Sequence, residues 1–291
     1  MNTTNFNRDN SNLIIIEKKN EVYITVNCES DIQREISEFF TFYVPGYKFM
    51  PAFRNRMWDG KIRLFSQKTK EIYFGLYPYI KAFAEERGYN IVAGKDVEID
   101  NKVDKETVTK FSNSLGQKFE ARDYQIDAIY HSLKFNRALL LSPTASGKSF
   151  IIYSLIRYYS HLIKDSPNNR ILLIVPTTSL VEQMYSDFQS YGWNVKKNCH
   201  RLYSGYSNQT DKKVLISTWQ SLYKLPKKYF EQFGVVFGDE AHLFKSKSLT
   251  EIMTKLEDCK YRIGLTGTLD GAQTHKLVLE GLFGAVNKVT S

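Results

Sequence analysis

From residue 120 onward, short apolar runs alternate with amphipathic stretches. Ala138–Leu141, Ile171–Val175, Val214–Ser217, Val235–Gly238 and Arg262–Leu265 read as strands. Tyr124–Leu133, Lys148–Ile163, Ser179–Tyr191 and a segment near Leu249–Leu256 carry helical spacing of apolar positions. Strands rich in Val, Ile and Leu, separated by helices, predict an α/β unit with a mainly parallel, buried sheet. The first ~95 residues follow a different pattern. Leu13–Glu17 and Val22–Val26 predict two paired strands. Asp31 is placed to cap a helix running to about Phe42, with Ile32, Ile36, Phe39 and Phe40 on its apolar face. Lys61–Phe65 and Glu71–Phe74 predict a second hairpin, and Tyr77–Arg87 a helix stopped by Gly88. This is a small α+β unit. The polar, weakly periodic stretch from Ala93 to Ser114 puts the boundary near 105, giving domains 1–104 and 105–291.

Two segments carry recognisable chemistry. Ser142-Pro-Thr144-Ala145-Ser146-Gly147-Lys148-Ser149 sits between the strand ending at Leu141 and a helix. Strand, loop and helix in that order make a phosphate-binding loop, in which backbone N–H groups and a helix N-terminus wrap an anion. Lys148 would face the outer phosphates, and the Ser149 hydroxyl would hold Mg²⁺. Ser142 stands where the usual pattern begins with glycine. The second segment, Asp239-Glu240-Ala-His242, ends the Val235–Gly238 strand. Carboxylates there face the crevice in which α/β sheets bind ligands. Asp239 would hold the metal and Glu240 would orient an attacking water.

Composition narrows the class. The 291 residues are 42% hydrophobic and 24% charged, a globular profile with room for two domains. No apolar stretch reaches the ~18 residues of a membrane span, and Met1–Arg8 lacks the apolar core of a secretion signal. Three widely spaced cysteines, Cys28, Cys199 and Cys259, form neither a disulfide framework nor a metal spacing. Reduced thiols and a cytoplasmic location are expected. A net charge of +9 favours an acidic partner, nucleic acid first.

Further segments close predicted strands: Pro176-Thr177-Thr178, Ser217-Thr218-Trp219-Gln220 and Thr266-Gly267-Thr268. Hydroxyls and free N–H groups at strand ends suit phosphate contacts, and suit ordinary helix caps equally well. Arg122 and Gln125, ahead of the loop, are placed to read an adenine edge. Residues 47–81 hold eight basic side chains, among them Arg54, Arg56, Lys61 and Arg63, against two acidic ones. Tyr47, Phe49, Phe53, Trp58 and Phe65 are interleaved with them. Basic groups neutralise phosphates while aromatics stack on exposed bases. Alternatively, Trp58-Asp59-Gly60 is a turn feeding a hairpin with Trp58 packed beneath it.

The ordered series Arg122/Gln125, Gly147-Lys148-Ser149, Pro176-Thr177-Thr178, Asp239-Glu240-Ala241-His242 and Thr266-Gly267-Thr268 resembles motifs I to III of the DEAH-box type of superfamily 2 helicases. It covers residues ~119–270. The segment around Trp58-Asp-Gly-Lys-Ile-Arg-Leu64 resembles the front domain of the UvsW-type helicases of T-even phages. The resemblance implies a RecA-like P-loop domain binding ATP and Mg²⁺. Its nucleotide contacts would come from Arg122, Gln125, Thr144 to Ser149 and His242, with catalysis by Lys148, Asp239 and Glu240. It also implies a DNA grip by Arg54, Arg56, Trp58, Lys61, Arg63, Thr177, Thr178, Thr218 and Trp219, with coupling through Thr266, Gly267 and Thr268. The implied activity is ATP-dependent unwinding of branched DNA in recombination, repair and fork processing.

The family carries a second RecA-like lobe with motifs IV to VI and their arginines. This sequence stops at Ser291, so a chain that binds nucleotide and DNA with little turnover is expected; two alternatives stay open for the second lobe, a longer form of this chain or a separate partner chain. Motifs I to III leave an RNA helicase and a restriction-type translocase open. A non-catalytic nucleic-acid-binding module is the reading from another class.

Overall fold

The computed structural model describes residues 12–143, 146–244, 246–269 and 271–289. They divide into two compact units: the described residues up to 98 without 20–22, and residues 20–22 together with those from 99 onward.

In the first unit, β1 (Leu13–Lys18) and β2 (Tyr23–Asn27) pair antiparallel, with Ile16 opposite Val26. Ile14, Ile16, Ile24 and Val26 point inward and are fully buried, as the period of two requires. Helix α1 (Ser30–Phe39) lays Ile32 and Ile36 on that face. The helix differs from expectation at both ends. Glu29 occupies the cap position without a side-chain bond, and the helix stops at Phe39 because Thr41–Tyr43 is pulled into strand β3. Phe40 is buried, whereas Phe39 stays 37% exposed.

A short helix α2 (Pro51–Arg54) precedes β4 (Lys61–Arg63) and β5 (Glu71–Tyr73). The expected hairpin between the last two does not form. β4 pairs with β3 in a separate two-stranded ribbon, and β5 pairs with β2. Among the described residues a single bridge, Ser66 to Glu71, links the segment after β4 to the start of β5. Three-residue strands carry too little apolar pattern to fix a partner locally, so the buried face of β2 decides. Helix α3 (Tyr77–Arg87) ends at left-handed Gly88 as expected. β6 (Asn90–Ala93) then returns parallel to β1, giving the sheet order β5-β2-β1-β6.

The second unit opens with α4 (Lys105–Asn113), capped by Asp104, whose carboxylate accepts from the Thr107 N–H at 2.7 Å. Its polar sequence hid it in the stretch read as a linker. Then follow α5 (Asp123–Phe135), β7 (Arg137–Leu141), α6 (Lys148–Leu162), β8 (Arg170–Val175), α7 (Thr178–Ser190) and α8 (Val195–Asn198). Next come β9 (Cys199–Leu202), β10 (Val214–Thr218), α9 (Trp219–Leu222), α10 (Lys227–Phe230) and β11 (Phe233–Gly238). The unit closes with α11 (Ser246–Lys255), β12 (Tyr261–Thr266), α12 (Gln273–Leu282) and β13 (Val286–Lys288). The seven strands are all parallel, in the order β13-β7-β12-β11-β8-β10-β9. β11 is buried along its whole length and β8 nearly so, which accounts for their continuous apolar runs.

Phe283 lies against the sheet where β11 and β12 offer glycine. A Cβ on Gly238 would meet its ring at 2.6 Å, and one on Gly264 at 2.8 Å. Fully buried Arg262 on β12 donates to the carbonyls of Met253, Leu256 and Leu282, so the ends of α11 and α12 are tied to that strand.

Candidate nucleotide site and nucleic-acid surface

The loop after β7 is braced from below. Buried Gln125 donates from Nε2 to the Ser146 carbonyl at 2.9 Å and accepts from the Arg122 N–H at 3.0 Å. Gly147 is left-handed at φ 78°, and a Cβ there would stand 2.3 Å from Gln125 Nε2. Glycine is therefore required on both conformational and steric grounds. The Ser142 and Ser146 hydroxyls bond each other in the buried base, and the Ser142 N–H reaches the Thr266 carbonyl at 2.9 Å. Much of the Gln125 amide is thus committed to the loop, while Arg122 points to the Tyr124 hydroxyl at 2.9 Å. Thr144 and Ala145 lie outside the described residues.

Lys148 and Ser149 begin α6, and each side chain is already engaged. Lys148 Nζ pairs with Glu240 Oε1. The Ser149 hydroxyl lies 2.8 Å from the hydroxyl of Tyr191, just past the end of α7. Burial holds the Tyr191 phenol and the nearby Asp187 carboxyl above their ordinary values. Nothing in the sequence flagged Tyr191, which is 42 positions from Ser149.

Asp239 closes β11 and is 3% exposed. Its Oδ1 is buried with no hydrogen-bond partner. Burial raises its pKa to about 6, against the opposing pull of Lys148 and with a further push from Glu240. A buried acceptor without a donor is costly unless a ligand supplies one. Glu240 follows in a left-handed conformation, φ 49° and ψ 46°, uncommon for a residue with a side chain and frequent at functional sites. His242 Nδ1 stands 2.7 Å from Thr266 Oγ1 and 3.5 Å from Glu240 Oε2. Thr266 Oγ1 also lies 2.7 Å from the Thr268 carbonyl, so its single proton serves one of the two partners and the His242 tautomer sets which. Burial lowers the His242 pKa. Gly267 faces the Lys148–Glu240 pair, 3.8 Å from each charged atom to its would-be Cβ.

Lys148, Asp239, Glu240, His242, Thr266 and Gly267 thus converge at the C-terminal ends of β7, β11 and β12. The hydroxyls ending the other strands serve local structure. Thr177 Oγ1 caps α7, accepting from the Leu180 N–H at 3.3 Å, with exposed Thr178 beside it. Thr218 is buried with its hydroxyl on Ser221, and half-buried Trp219 packs against Tyr223.

The basic segment of the first unit resolves into distinct roles. Trp58 Nε1 donates to the Lys61 carbonyl at 2.9 Å, which ties the half-buried indole to the start of β4. Arg63 pairs with Asp59, and Lys61 sits over the Tyr43 ring at 5.0 Å. Arg54 and Arg56 are exposed, Arg56 at a left-handed φ of 54°.

An all-parallel sheet with a glycine-lysine-serine loop after one strand and Asp-Glu-Ala-His after another defines a RecA-like P-loop domain. The family model for the res subunit of type III restriction enzymes matches residues 118–271. The model for the N-terminal domain of the DNA helicase UvsW matches residues 14–94. The ATP-dependent DNA helicase uvsW of Enterobacteria phage T4 is 34% identical over 275 residues, covering 91% of this chain and 54% of the relative. The DNA 3'-5' translocase XPB2 of Sulfurisphaera tokodaii is 27% identical over 53% of this chain and 32% of its own length. A crystal structure of the UvsW helicase from bacteriophage T4 superposes at a TM-score of 0.85 with 33% identity, covering 94% of this chain and 99% of that one. A second T4 UvsW structure gives 0.86, with 57% of that chain covered. The chain belongs to the UvsW helicase family, and spans about half the length of the T4 relative. Among the described residues no helix is long and apolar enough to cross a membrane.

Proposed function

We propose that this chain is the nucleotide- and DNA-binding part of an ATP-dependent helicase acting on branched DNA. The observation that carries the reading is Asp239, a buried carboxylate with an unpartnered oxygen, beside Lys148 and the left-handed Glu240. That donor set fits a magnesium–triphosphate: a hard cation takes oxygen ligands, and Lys148 with the α6 N-terminus takes anionic oxygens. Asp239 and Ser149 would hold the metal, which when bound would neutralise charge on the transferring phosphate. The chain's own residues do the rest. Lys148 leaves Glu240 for the outer phosphates, and the freed Glu240 carboxylate orients water. The His242–Thr266 bond carries the change from Glu240 to β12. Among the described residues Lys148 is the basic side chain brought to Glu240 by an ion pair, besides His242. Further cationic groups would come from a second RecA-like lobe, on a continuation of this polypeptide or on a separate chain.

Titration with a fluorescent ATP analogue tests this. Lys148→Ala should weaken binding tenfold or more, consistent with loss of a charge-assisted contact of roughly 1.5–3 kcal/mol. Asp239→Asn should remove the Mg²⁺-dependent part of the affinity while the far-ultraviolet spectrum stays unchanged. Equal affinity in Lys148→Ala would eliminate the phosphate-loop reading.

A further inference from the structure

In the first unit, the segment between β3 and β4 puts large apolar side chains into solvent. Phe49 is 85% exposed, Met57 76%, Tyr43 55% and Met50 37%. A soluble surface that exposes several large apolar groups in one short stretch marks a contact site. The segment is built rather than frayed. Tyr43 stacks on Tyr47 at 4.7 Å between ring centres, and Tyr47 meets Phe53 edge-on at 4.8 Å. Gly60 packs so closely that a Cβ would lie 2.3 Å from the Tyr47 ring. This aromatic base fixes the turn of Tyr47–Phe49, which carries Phe49, and helix α2, with Met57 just beyond its end.

Charge selects the occupant. No acidic residue occurs between Glu38 and Asp59, and Asp59 is taken by Arg63. Lys48, Phe53, Arg54, Arg56, Met57 and Trp58, with the Arg63-paired Asp59, line one cleft of about 620 Å³ on this surface. Apolar and aromatic groups set among cations that outnumber the single carboxylate match a polyanion whose apolar faces are accessible. Continuous duplex DNA hides its base faces, whereas a strand leaving a duplex exposes them.

We propose that Phe49 and Met57 form a stacking platform for the unpaired bases at a branch point, with Lys48, Arg54 and Arg56 holding the adjoining phosphates. The proposal rests on the DNA reading above and deepens it: the platform makes the front unit selective for junctions over uniform duplex.

The test titrates the full chain against a fork with 2-aminopurine at its first unpaired position, and against a continuous duplex of equal length. One stacked base is worth about tenfold in affinity. The fork should bind about tenfold tighter than the duplex, with a change in fluorescence. Phe49→Ala combined with Met57→Ala should erase the preference and the fluorescence change, hold duplex affinity within about twofold and leave the melting temperature unaltered. Phe49→Trp should retain both signals. Arg54→Ala with Arg56→Ala should weaken fork and duplex alike and flatten the log–log salt slope by roughly 2. An unchanged fork-to-duplex ratio in the Phe49/Met57 variant, with salt-dependent binding intact, overturns the platform alone. Absence of salt-dependent binding in the wild type overturns the DNA reading and the platform together. If the variant loses only self-association in sedimentation, the patch is a contact between copies and the proposal fails.

Discussion

The Ser149 hydroxyl lies 2.8 Å from that of Tyr191, and either oxygen can be the donor. Where Tyr191 donates, its proton competes with a metal ion for the Ser149 oxygen, and giving that bond up costs about 0.5–1.5 kcal/mol net. Tyr191→Phe should tighten Mg²⁺-dependent binding of an ATP analogue by about two- to tenfold and leave metal-free binding alone; isothermal titration with Mg²⁺ and with EDTA separates the two. Asp239 makes a prediction about the free chain. Its folded pKa, near 6, lies above that of an unfolded aspartate, so the native state holds the extra proton. Its destabilising contribution is absent below about pH 4, grows as pH rises and is complete somewhat above pH 6. In EDTA, Asp239→Asn should raise the melting temperature at pH 7.5 relative to wild type, and the gap should close towards pH 4.5. A gap of constant size across that range would place the Asp239 carboxylate in a better solvated site.

At the scale of elements, close approach of glycine strands to Phe283 sets a steric limit. Gly264→Ala should destabilise the second unit by about 1–3 kcal/mol through overpacking against that ring and Leu139. Phe283→Leu in the same chain should recover part of the loss, measured by urea denaturation as a non-additive double-mutant cycle. The same scale explains what could be read from the sequence. β7, β8, β10, β11 and β12 were legible because strands buried on both faces must be continuous apolar runs. β9 was not, since Cys199-His-Arg-Leu202 lies at a sheet edge with His200 and Arg201 partly solvated. β13 has three residues, and its identity rests on pairing with β7. The β4–β5 hairpin failed because pairing of short strands is a tertiary choice. In the site, contiguous motifs carried Lys148, Asp239 and Glu240. The Tyr191 contact and the bond from Gln125 to the Ser146 carbonyl join distant segments and leave no local pattern, although Gln125 itself belongs to the motif ahead of the loop.

Across the whole molecule, the strand that carries the phosphate loop has an unusual place in the order of the chain. β7 is the first strand of the seven in sequence, yet its neighbours are β12 and β13, the last two. The Ser142 N–H is likewise satisfied by Thr266, and the Leu139 N–H by Ala285. The nucleotide loop is therefore made early and anchored late. During synthesis its strand waits, apolar and unpaired on both edges, while more than a hundred residues are added. Such long-range parallel pairing folds slowly and exposes sticky edges meanwhile. Ribosome-arrested chains stopping at Lys255 should remain protease-sensitive around β7 and fail to retain an ATP analogue, whereas chains released past Lys288 should resist cleavage there and retain the analogue. The proposed nucleotide site would then also be the last part of the unit to mature, and a cell could gauge whether the unit is finished simply by whether it holds nucleotide.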